Sequence, residues 1–88
     1  MRALLLLPFL AQPALASGEA EWDAFRAEVE AACLALLDFP GEPAIEVNPF
    51  GSASYGAALV TMTLGDEQDR MICIFDKASK QAELTAPF

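Results

Sequence analysis

The chain has 88 residues, a formal charge of −8, two cysteines and no histidine. That composition excludes histidine-based catalytic triads and histidine–metal sites, and two cysteines are too few for a thiolate zinc centre. The acidic balance argues against nucleic acid and anionic membrane surfaces, which attract basic patches, and nothing in the chain calls for a cofactor.

In chain order, the first element is a leader. Met1-Arg2 is followed by an apolar run from Ala3 to Leu7, which continues through Phe9-Leu10 and ends in Ala14-Leu15-Ala16. One positive charge, a leucine-rich stretch and an Ala-x-Ala ending have the layout of a secretory signal peptide. Cleavage is therefore expected after residue 16, leaving one small domain over 17–88. The sixteen uncharged residues between Arg2 and Glu19 are fewer than the about 20 apolar residues a membrane span needs. Pro8, Gln12 and Pro13 interrupt the run as well. Ser17, not cysteine, follows the cut, so no lipid anchor and no stable membrane attachment is expected once the leader is gone. The reading places the mature protein in the periplasm or outside the cell. Losing Arg2 takes the formal charge from −8 to −9, a balance that keeps a small exported protein soluble and would steer a cationic partner.

A helix is predicted from Ser17-Gly18, with Glu19, Glu21 and Asp23 favourably placed near its positive end. Trp22, Phe25, Val29, Ala32, Cys33 and Leu36 recur at steps of three and four, forming one apolar stripe. Trp22 and Arg26, one turn apart, could stack, although Trp22 also reads as the first core residue. The helix should stop near Asp38, because Pro40 disfavours helical geometry at Phe39. The period then changes to two. Strands are predicted at 44–48, 55–64, 70–76 and 81–85, joined by loops or turns at 49–54, 65–69 and 77–80. Connections of hairpin length imply an antiparallel meander.

Two cysteines in a short exported chain predict one disulfide, Cys33–Cys73. On the loop-entropy model it stabilises the domain by about 4 kcal/mol. The competing reading is a pair of free thiols, one of them catalytic, but such thiols usually work with a nearby base, most often histidine. The expected fold is α+β: one N-terminal amphipathic helix packed on a roughly four-stranded antiparallel β-meander, tied by that disulfide. Cys33 lies on the inner helix stripe, and Cys73 on one face of the third strand with Met71 and Phe75. Val60 and Met62 then join the core.

This assignment leaves Ile72 and Ile74 facing away from the helix, beside Leu59 and Ala57. An antiparallel sheet covered on one side should be polar on the other. Either the C-terminal tail Ala86-Pro87-Phe88 or the Phe39–Pro43 segment covers this apolar face, or a protein partner or a second copy docks there.

The most distinctive loop is 49–56, in which Phe50 and Tyr55 could act as anchors and Ser52 and Ser54 as hydrogen-bonding groups, a composition favoured in binding loops. It can equally be a plain connection, since Asn, Pro, Gly and Ser all have turn-forming chemistry. It lacks a phosphate-binding signature. The run Gly51-Ser52-Ala53-Ser54-Tyr55 resembles the small-residue, tyrosine-ended loop that bacterial periplasmic lysozyme inhibitors insert into their enzyme's cleft. The likeness spans five residues, the order of serine and glycine differs, and the inhibitors' all-β barrel has no helix like the one expected here. It illustrates an inhibitor reading without implying membership. Asp66, Glu67 and Asp69 lack the ligand spacing of a calcium loop, so no metal site is expected. A hydrolase would have to use Ser52 or Ser54 as nucleophile, and no base accompanies either. The expected function is a small exported binding or accessory module without catalysis of its own. The alternative is an enzyme inhibitor acting through 49–56.

Overall fold

The computed structural model describes residues 18–88, so the expected leader at 1–16 and the cut before Ser17 lie outside the described residues. One helix, α1 (Glu19–Leu34), precedes four strands: β1 (Glu42–Val47), β2 (Tyr55–Leu64), β3 (Glu67–Asp76) and β4 (Ala82–Leu84). The strands form a single sheet in the order β1-β2-β3-β4, and every neighbouring pair is antiparallel. This is the expected α+β meander.

The helix begins where the amides of Glu21 and Trp22 donate to the Gly18 carbonyl. Glu19 and Glu21 lie in its first turn, at the positive end of its dipole. Val29 and Cys33 are buried, while Trp22, Phe25, Ala32 and Leu36 are half-buried, as the stripe requires. The helix ends at Leu34, four residues before the position expected from Pro40. Leu36 and Leu37 donate to carbonyls only three residues back, a tightening common in a last turn. This lets both leucines pack against the core beyond the helix axis.

On the sheet's inner face, Ala58, Val60, Met62, Met71, Cys73 and Phe75 join Val29 and Cys33 as the buried core. The Cys33–Cys73 disulfide links α1 to β3 across this core. Gly56 marks the closest approach of helix and sheet: a Cβ built on it would lie 2.8 Å from a Val29 methyl and 3.0 Å from the Phe25 ring. Only a residue without a side chain lets the two layers meet there.

The third strand starts three residues earlier than expected. The polar run Gly65-Asp66-Glu67-Gln68-Asp69 contains only a two-residue turn, and Thr63 pairs with Gln68 and Leu64 with Glu67. Gly65 has φ +64°, and glycine in the first central position suits a tight hairpin turn. The hairpin tip projects past the helix and is exposed on both faces at 67–70, which is why its sequence looks like a loop. β1 also begins two residues early, at Glu42, and β4 is trimmed to three residues.

Candidate functional site

The residues singled out from the sequence fall on two separate surfaces. Ala57 and Leu59 of β2 and Ile72 and Ile74 of β3 point away from the helix, because side chains alternate along a strand and their neighbours Ala58, Val60, Met71, Cys73 and Phe75 are in the core. Strand register arranges the outer residues in two cross-strand rows. One row runs Glu46, Leu59, Ile72; the next runs Ala57, Ile74, Glu83. Each row thus has an apolar middle and a carboxylate at one end, the first at the β1 edge and the second at the β4 edge of the same face. Tyr55 sits opposite Asp76 in the row beyond.

The C-terminal tail reaches this face only at its Arg70 end and leaves Ile72 exposed. It runs on beside β3, with the Thr85 amide donating to the Ile72 carbonyl and the Phe88 amide to that of Arg70. The Phe88 ring lies under the Arg70 guanidinium, 4.7 Å from ring centre to Cζ. Ile72 remains 39% exposed and Tyr55 48%. Two shallow depressions mark the face. One, about 340 Å³, includes Glu46, Ala57, Leu59 and Ile72; the other, about 260 Å³, includes Tyr55, Ile74, Asp76 and Glu83.

Phe50 belongs to the other side of the molecule. Its ring meets Trp22 edge-on at 4.8 Å, and Trp22 meets Phe25 in the same way at 5.7 Å. The sequence allowed Arg26 to stack on Trp22; instead its guanidinium lies over Phe50. Arg26 also donates to the Pro49 carbonyl and to Asp23. Lys77 completes the clamp. Its ammonium donates to the carbonyls of Phe50 and Ser52 at 3.3 and 2.6 Å and lies 4.9 Å from the centre of the Phe25 ring.

The loop itself is held by turn chemistry. The Asn48 carboxamide oxygen accepts from the amides of Phe50 and Gly51. The Ser52 hydroxyl accepts from the Tyr55 amide and donates to the Tyr55 carbonyl. Gly51 has φ +70°, and a Cβ there would collide with that same carbonyl oxygen. The Ser54 carbonyl accepts from the Lys77 amide. Phe50 and Tyr55 therefore face opposite sides of the protein and present no common surface. Beside the clamp, a cleft of about 540 Å³ is lined by Trp22, Phe25 and Lys77, and the ion pair between Lys80 and Glu28 joins residues of its lining at 3.2 Å.

Sequence reasoning missed the placement of Glu46 and Glu83 at the ends of the outer rows, which becomes visible only once register is known, and the clamp made by Lys77, which follows β3 immediately. Among the described residues, no three His, Cys, Asp or Glu side chains converge as a metal site, and no helix is long and apolar enough to cross a membrane. No known protein family, curated protein or solved structure matches the chain.

Proposed function

We propose that the protein is a small exported accessory module, periplasmic or secreted, that binds another protein through the outer face of its sheet and has no catalysis of its own. The supporting observation is the apolar stripe Ala57, Leu59, Ile72 and Ile74 on the outer face, with Ile72 39% exposed and the other three half-buried. An antiparallel sheet facing only water would carry polar residues there, and contiguous exposed apolar surface in a small domain marks an interaction site. Export is supported by the leader-like order of residues 1–16 and by the disulfide, which suits an oxidising compartment. The occupant is a different protein rather than a second copy, because the face carries Glu46, Asp76 and Glu83 against one cation, Arg70, and a copy with the same negative balance would be repelled. Against Ser52 as a nucleophile stands its hydroxyl, which is engaged in the hydrogen bonds that close the loop.

Affinity capture from the native cell envelope tests the reading. Wild type and Phe50→Ala should retain the same partner, and Ile72→Lys should lose it. Capture that survives Ile72→Lys and is lost in Phe50→Ala would overturn it in favour of the 49–56 loop.

A further inference from the structure

The charges around the stripe specify what kind of protein surface fits it. The described residues contain four cationic side chains, and each is already engaged within the molecule. Arg26 pairs with Asp23 and Glu19, Lys80 with Glu28, Lys77 with two backbone carbonyls, and Arg70 with the Phe88 ring. Of the thirteen carboxylates, only Glu19, Asp23 and Glu28 meet a cation among the described residues. Those contacts leave the charges of Lys77 and Arg70 uncancelled, and Arg70, two residues along β3 from Ile72, stands exposed on the outer face; against it that face carries Glu46, Asp76 and Glu83, so its balance is negative.

On the outer face this charge has a defined geometry. Glu46 stands at the β1 end of the row through Leu59 and Ile72, and Glu83 at the β4 end of the row through Ala57 and Ile74. Asp76, beside Ile74 in the second depression, adds to the negative charge on the β4 side. Its Oδ1 is used by the amides of Ala78 and Ser79. Two carboxylates thus sit diagonally across an apolar centre. An apolar partner surface with cations at matching corners would bury its centre on Leu59 and Ile72 while its charges meet carboxylates. A neutral or acidic surface would leave Glu46 and Glu83 desolvated and unpaired, which is unfavourable.

Building on the outer-face reading, we infer that the partner is a protein segment with an apolar core flanked by lysine or arginine, seated across β2 and β3 with its cations at Glu46 and Glu83. The probes are two short synthetic peptides sharing a Val-Ile-Val centre, one flanked by lysines and one by glutamates, titrated into the exported protein and followed by amide NMR. The lysine peptide should shift the amides of Ala57, Leu59, Ile72 and Ile74 and bind more weakly as salt rises. The paired change Glu46→Lys and Glu83→Lys should weaken it about tenfold or more, because like charges then oppose one another. The glutamate peptide should not bind. Equal binding of both peptides, no binding of either, shifts confined to Trp22 and Lys77, or salt-driven self-association instead of peptide binding would each overturn the inference. Envelope capture separates the two levels. Loss on Ile72→Lys with full retention on the glutamate pair change removes only the cationic partner; retention on Ile72→Lys removes the docking face as well.

Discussion

The two faces of β2 and β3 have similarly apolar centres and opposite fates. On the inner face Val60, Cys73 and Phe75 are sealed under α1, at no more than 1% exposure. On the outer face Leu59 and Ile74 are half-buried and Ile72 is exposed. The strands have the same twist and the same hydrogen bonds on both sides, so what separates the faces is a single helix, long enough to cover one of them. Apolar character in a strand therefore identifies surface that needs a cover, and the rest of the chain decides whether that cover lies within the molecule.

The comparison breaks most completely if the helix is released. Replacing both cysteines, Cys33→Ala with Cys73→Ala, should lower stability by about 4 kcal/mol, measured by urea unfolding. That is near the whole stability of a domain this small, and the variant should populate unfolded molecules without denaturant. A loss below about 1 kcal/mol would mean that packing alone holds the helix. A subtler test forces the layers apart. Gly56→Ala places a methyl against Val29 and Phe25, and should cost about 1–3 kcal/mol by overpacking, read from the same unfolding midpoint. The sharpest test applies the same polar residue to each face. Val60→Thr buries a hydroxyl and should cost about 1–3 kcal/mol. Ile72→Thr, on the open face, should stay within about 0.5 kcal/mol. Equal losses at the two positions would show that the outer face is covered within the molecule.

Most of the architecture was legible because the periods were clean. The helix stripe through Phe25, Val29 and Cys33 and the strict alternation through Ala58, Val60 and Met62 depend only on repeat geometry. The missed boundaries share a physical cause. Glu67, Gln68 and Asp69 form strand beyond the helix's reach, where both faces are wet and polar residues carry no inward period. The helix ended early as Leu36 and Leu37 donate three residues back and pack on the core, a tertiary arrangement that local propensity does not encode. The candidate surface was half legible. Parity alone put Leu59, Ile72 and Ile74 on one side, but Phe50 was grouped with Tyr55 because they share a loop. The loop turns one aromatic to each side, held by Lys77 from a distant turn. The corner carboxylates Glu46 and Glu83 depend on strand register, which no single strand's pattern contains.

Both sulfurs of the cross-link lie at 0% exposure beneath a docked helix. The oxidation that joins them must therefore occur while the chain is still open, since a thiol oxidase arriving after compaction would find neither cysteine within reach. Because the chain without its cross-link has little stability of its own, molecules that collapse first would reopen and offer their thiols to the oxidising catalyst again, so the cross-link closes on the open chain and then holds the fold shut.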